Sequence, residues 1–169
     1  MNSHRQARTV ESIKFPERVY TIHEVEAARE LIEKGYRHRL TVKGKPEFKQ
    51  KVKAALRLIK IANYYDFIRT YIRQIREIDG ISQLREAEAA IWANTYSMED
   101  PIDAASFIVQ KTQQMKDYIE GRLYYEMGET RAVEKRLEFL ETLKAKSHDP
   151  TIKERCQEIL KRWTDVPFP

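Results

Sequence analysis

Tyr64-Tyr65-Asp66-Phe67-Ile68-Arg69-Thr70-Tyr71-Ile72-Arg73-Gln74-Ile75-Arg76 is the stretch on which the fold class turns. Its apolar residues fall at 64, 67, 68, 71, 72 and 75, the three-and-four spacing of a helix with one buried face. On that reading the helix runs to a stop at Asp79-Gly80. Arg69, Arg73 and Arg76 then form a stripe on its outer side.

The segments before it carry the same kind of signal. Thr21 with Glu24 three residues on is a capping box, and Ile22, Val25, Ala28 and Ile32 share one face of the helix it starts, with Gly35 placed to end it. Tyr36 to Gly44 alternates in period two, with Tyr36, His38, Leu40 and Val42 on one side, and predicts a single short strand or extended connector. Pro46 opens the next helix at a position that tolerates proline. Phe48, Val52, Ala55, Leu56 and Ile59 give that helix its stripe, and a break near Asn63 leads into the deciding stretch.

Beyond it, Ser82 caps a predicted helix carrying Leu84, Ala87 and Ile91. Asp100-Pro101, Gly128 and Asp149-Pro150 introduce three more, with apolar stripes through Val109 and Ile119, Val133 and Leu140, and Ile152 and Trp163. The expectation is a mainly α, compact single-domain bundle of about six or seven helices, with at most a short strand near residues 36–43. Residues 1–20 form a basic N-terminal arm, 21–163 the helical domain and 164–169 a tail, since Val166-Pro167-Phe168-Pro169 cannot continue a helix.

At 169 residues with 41% hydrophobic and 34% charged composition, the chain is long enough to bury a core. One cysteine, Cys156, excludes an internal disulfide and a cysteine-based zinc site. It falls in the apolar stripe of the last helix, between Ile152 and Ile159, and reads as a small buried hydrophobe. No apolar run approaches the roughly 20 residues that cross a bilayer, and the N-terminus lacks the apolar stretch of a secretion signal. A cytoplasmic location is the expectation.

Charge is unevenly spread. The net charge is +5, yet between Lys34 and Arg76 stand thirteen basic residues opposed only by Glu47 and Asp66. Lys49, Lys53, Arg57 and Lys60 fall at helical intervals opposite Phe48, Val52 and Ile59. If the two helices are antiparallel neighbours, this stripe adjoins that of Arg69, Arg73 and Arg76, with Arg37 and Arg39 nearby. Tyr36, Tyr64 and Tyr65 lie close enough along the chain to stack on bases. Such a surface suits an anionic partner, either nucleic acid or an acidic protein. A merely solvated helix face gives the same pattern.

Motifs for chemistry are missing. His23-Glu24-Val25-Glu26-Ala27 falls one ligand short of the zinc-binding pattern HExxH, and no two of the four histidines stand four apart. There is no phosphate loop, dinucleotide fingerprint or nucleophile elbow. The expectation is therefore no catalytic residue, no metal and no cofactor. An unrecognised site drawing on His38, Glu86, Glu88 or Glu129 stays open, as does an assembly role with contacts at Trp92, Tyr96 or the tail.

Three stretches carry a family resemblance. They are Gly44-Lys45-Pro46-Glu47-Phe48 with the helix after it, Asp103-Ala104-Ala105-Ser106-Phe107-Ile108-Val109, and Tyr118 to Tyr125 with Glu129, Ala132, Leu137 and Leu140. Together they resemble putative bacterial zinc metallopeptidases of the HExxH type. Where that resemblance places the metal motif, this chain has Gln110-Lys111-Thr112-Gln113-Gln114. Both histidine ligands are then glutamine and the general-base glutamate is lysine, whose charge opposes a dication. Glu129 stands at the position resembling the third ligand. The resemblance thus implies a degenerate peptidase-like scaffold, kept for binding or structure.

Overall fold

A computed structural model describes residues 14–122 and 127–165. The predicted arm over 1–13, the tail from Val166 and the Leu123-to-Glu126 part of the third resembling stretch lie outside the described residues. Among those described are six α-helices and one four-stranded sheet. In chain order they are α1 (Ile22–Glu33), β1 (Thr41–Lys43), α2 (Pro46–Ile61), α3 (Tyr65–Tyr71), β2 (Gln74–Glu77), β3 (Gln83–Arg85), β4 (Ala90–Ala93), α4 (Pro101–Ile119), α5 (Gly128–Lys146) and α6 (Pro150–Thr164).

The helix boundaries follow from local chemistry. Thr21 Oγ1 accepts from the Glu24 amide at 3.2 Å and Glu24 Oε1 from the Thr21 amide at 2.8 Å, so α1 begins with two of its otherwise unpaired amides satisfied. Proline stands in the first turn of α2, α4 and α6. Asp100 and Asp149 cap the last two through amides two or three residues on. Gly121, at φ +74°, lets the chain leave α4 in a left-handed turn that a side chain would strain.

The sheet corrects the bundle expected from periodicity. Its strand order is β1-β2-β4-β3, with β1, β2 and β4 parallel and β3 antiparallel at the edge. The helix expected over 64–76 stops at Tyr71, and Gln74–Glu77 continues as a central strand. The helix expected after Ser82 is instead the β3–β4 hairpin, closed by one 3-10 turn at Glu86–Glu88 and by Ala89 at φ +51°. In both places local helical spacing lost to long-range pairing: Ile75 registers with Val42 on one side and Ile91 on the other, and Leu84 with Ile91. All four residues sit on the face turned to the helices, Ile75 and Ile91 at 0% exposure.

The helices cover that face. Phe48, Val52 and Ile59 of α2, Ile108 and Met115 of α4, and Phe139 and Leu140 of α5 are fully buried. Each such side chain contributes roughly 1.5–3 kcal/mol relative to exposure. Phe15 and Val19, ahead of α1, join the same core. α4, α5 and α6 are also tied together by polar chemistry. Arg136 of α5, 7% exposed, donates to Ser106 Oγ (2.9 Å), Gln110 Oε1 (2.7 Å) and Asp103 Oδ1 (2.9 Å) on α4 and lies over the Trp163 ring of α6.

Candidate anion-binding face

Among the described residues, no helix covers the second face of the sheet. Strand alternation sends Val42, Ile75, Leu84 and Ile91 inward, so the residues between them point the other way. In register these form two rows across the four strands. One is Lys43, Arg76, Trp92 and Gln83; the other is Thr41, Gln74, Ala90 and Arg85. Lys43, Arg76 and Arg85 are exposed, and only Ala90 of the eight is buried. No carboxylate occupies either row.

Trp92 is half-buried, with the Arg85 guanidinium 4.3 Å and the Arg76 guanidinium 5.8 Å from its ring centroid. These approach from the two strands flanking β4, at distances where a cation is attracted by an aromatic face. Its indole Nε1 is buried without a hydrogen-bond partner among the described residues.

Towards β1 the face deepens into a cleft of about 600 Å³. Arg39, Lys43, Arg73 and Arg76 line it, with Glu88 as its one carboxylate among the described residues. Arg73 is held in place from several sides. It donates to the carbonyls of Pro16 (3.1 Å), Glu17 (2.8 Å) and Glu88 (2.8 Å), fastening the segment before α1 to the end of the sheet. Among the described residues the side chains of Arg39 and Lys43 make no hydrogen bond or ion pair, and the guanidinium of Arg76 has only the Trp92 ring.

His38 forms part of the cleft wall. It is 1% exposed and wedged edge-on between Phe15 (4.4 Å) and Tyr36 (5.0 Å), with neither ring nitrogen hydrogen-bonded within the described residues. Burial, helped by repulsion from Arg73 and Arg69, pushes its pKa down to about 4. The ring is therefore neutral at neutral pH.

The nine basic residues expected to form one surface are divided. Lys49, Lys53, Arg57 and Lys60 are exposed along α2, on the side of that helix away from the sheet. Arg69, Arg73 and Arg76 do not make a helical stripe, because the helix ends before Arg73. Arg69 bonds the His38 carbonyl at 2.9 Å and pairs with Asp66 at 3.7 Å. Arg37, exposed, bonds the Tyr36 carbonyl. Only Arg39, Arg73 and Arg76 of the nine line the cleft. Of the tyrosines, Tyr36 reaches it, Tyr64 packs on Phe67 and Phe139, and Tyr65 lies under Lys60 and Arg69.

Sequence reasoning did not single out Thr41, Gln74, Gln83, Arg85 or Trp92 for this surface. The signal was the repeated polar-apolar-polar triplet: Thr41-Val42-Lys43, Gln74-Ile75-Arg76 and Gln83-Leu84-Arg85.

The other candidates fall elsewhere. Gln110 serves Arg136, and Gln113 Nε2 donates to Asp117 Oδ1 at 3.1 Å, which also pairs with Arg131 at 3.2 Å. Lys111 lies over the Phe107 ring. Burial, with Arg136 nearby, lowers its pKa against the opposing pull of Glu86 and Glu129. Among the described residues no three His, Cys, Asp or Glu side chains are placed to hold a metal ion, and no helix is long and apolar enough to cross a membrane. Compared with protein-family models, with curated proteins and with solved structures, the chain finds no match.

Proposed function

We propose that this chain is a non-catalytic binding module, whose basic face on the open side of the sheet docks an anionic partner. The observation that carries the reading is the cleft where, among the described residues, Arg39, Lys43, Arg73 and Arg76 meet a single carboxylate, Glu88. Like charges brought this close repel one another, and an anion seated among them relieves that repulsion while releasing its own counterions. The side chains of Arg39 and Lys43 have no hydrogen-bond or ion-pair partner among the described residues to give up on binding.

A degenerate metallopeptidase-like scaffold agrees with this reading. Gln110, where that resemblance puts the first histidine ligand, and Gln113, an intervening residue of the same motif, are committed to structural hydrogen bonds. That helix ties the fold together, and the sheet is left to present the surface.

The test is a charge reversal on the sheet side, Arg39→Glu with Lys43→Glu and Arg76→Glu, against a matched reversal of Lys49, Lys53 and Arg57 on α2. Arg73 is left alone because it anchors the segment before α1. Binding to a labelled oligonucleotide and to polyglutamate is measured across a salt series. The sheet-side reversal should abolish binding to whichever polyanion the wild type takes, and the α2 reversal should weaken it only modestly. Equal affinity in the sheet-side variant and the wild type would sink the proposal.

A further inference from the structure

We infer that the anionic partner is a single-stranded nucleic acid, laid across the open sheet face with one base stacked on Trp92. This rests on the reading of the face as an anion site and adds the chemical class of its ligand.

Composition separates nucleic acid from an acidic protein. A surface that bound carboxylates alone would need only cations. This face interleaves its cations with an indole and with the two amide side chains Gln74 and Gln83, groups that add π-stacking and base-edge hydrogen bonding. Along the row Lys43, Arg76, Trp92, Gln83 the order is two cations, a ring, then an amide, each one strand apart. At about 4.8 Å between strands the row spans roughly 15 Å, room for two or three nucleotides. A phosphate over Lys43 and Arg76 then places its base at Trp92.

Trp92 lies ready for this. Its ring is covered by Arg85 at 4.3 Å and approached by Arg76 at 5.8 Å. Both arginines are exposed at their other surfaces, so each can swing to a phosphate and yield the ring to a base. A guanidinium held on the indole by cation–π attraction exchanges for a stacked base plus a charge-assisted phosphate contact. The small Ala90 stands two residues before Trp92 on the same strand, in the neighbouring row. A duplex keeps its base faces inside its own stack and offers this ring nothing, so the geometry selects single strands.

Trp92 itself reports the event. The chain has two tryptophans, and Trp163 belongs to the Arg136 network on the helical side, so a Trp163→Phe background isolates the Trp92 emission. Octameric oligo-U and oligo-dT, a hairpin duplex of matched charge, and polyglutamate are titrated at low salt into that background and into Trp92→Leu and Trp92→Phe. The single strands should quench Trp92 on binding, and Trp92→Leu should lose about tenfold in affinity. Trp92→Phe should keep most of it, and polyglutamate and the duplex should neither quench nor compete strongly.

Salt-dependent binding that vanishes in the sheet-side charge reversal but ignores Trp92 would overturn this inference and leave the anion-binding face standing. Preference for polyglutamate, or equal affinity for the duplex, would overturn it in the same way. No binding of any polyanion would overturn both. If Trp92→Leu fails to fold, quenching in the Trp163→Phe background decides alone.

Discussion

Substitution of His38 by glutamine removes from the cleft wall a group whose protonation opposes folding. His38 is 1% exposed, and its pKa falls from 6.5 to about 4 because burial disfavours the imidazolium and Arg73 and Arg69 repel it. The unfolded chain therefore takes up this proton at higher pH than the folded chain. Stability contributed by the neutral ring is complete above about pH 6.5, declines as pH falls, and is fully lost below about pH 4. Through linkage this amounts to about 2–3 kcal/mol between about pH 7.5 and about pH 4.5. Glutamine keeps a polar side chain of similar length and does not titrate. The groups packed around the ring (Phe15, Tyr36, Arg69 with its partner Asp66, and Arg73 beside Glu88) stay in place, so their own pH dependence cancels in the difference. Urea unfolding of both proteins at several pH values across that window measures it. The wild type should lose about 2–3 kcal/mol more than His38→Gln over the range. Parallel stability curves would refute the reasoning, because they would mean that the folded chain protonates His38 as readily as the unfolded one.

The remaining predictions concern how the fold is held. Arg136→Ala strips Asp103, Ser106 and Gln110 of their shared donor and uncovers Trp163. It should cost about 2–4 kcal/mol in urea unfolding, with only partial recovery in Arg136→Lys, whose ammonium lacks the fork that serves three acceptors. At Gly44 an added Cβ would come 2.7 Å from Phe48 Cδ1 and 2.8 Å from Glu77 Cβ. Gly44→Ala should thus destabilise by about 1–3 kcal/mol, whereas Gly80→Ala, with nothing within 4 Å, should leave the melting temperature nearly unchanged. Cys156 is fully buried and its thiol is pushed up to about 11, chiefly by burial. Maleimide labelling near neutral pH should therefore follow global unfolding, and fast labelling of the native protein would contradict its place in the core.

What the sequence made legible were features written locally. The capping box at Thr21 and Glu24, the prolines at 46, 101 and 150 and the glycines at 35 and 121 each impose their conformation through neighbouring atoms, and six helix starts or stops follow from them. The sheet was hidden because its strands are three or four residues long. Over such a length, period two and period 3.6 differ by one residue, and Ile72 and Ile75 satisfy a helix as well as a strand. Glu86-Ala87-Glu88-Ala89 even favours helix by composition. Its reversal through Ala89 at φ +51° goes with the pairing of β4 to β3 on one side and to β2 on the other. The binding face inherits this blindness. Lys43 and Arg76 become neighbours only once β1 and β2 pair, 33 positions apart, and no local window holds both.

The count of thirteen cations between Lys34 and Arg76 overstates what is available to a partner, because the fold consumes several of them. Lys51 pairs with Glu99 at 2.6 Å and Glu47 at 3.5 Å, Arg69 serves the His38 carbonyl, and Arg73 is divided among three backbone carbonyls. Two uncommitted groups remain, and physics treats them differently. Lys49, Lys53 and Arg57 stand on the convex outer side of a helix, where their field decays over roughly 8 Å at physiological ionic strength and each contact is made by a long chain that must be ordered on binding. Arg39, Lys43 and Arg76 border a cleft whose floor is hydrogen-bonded sheet, so their anchoring atoms are already spaced and partly screened from water. A partner steered by the whole basic side should therefore still be retained by the sheet side alone. Reversing the α2 stripe should slow association, while reversing the sheet residues should speed dissociation.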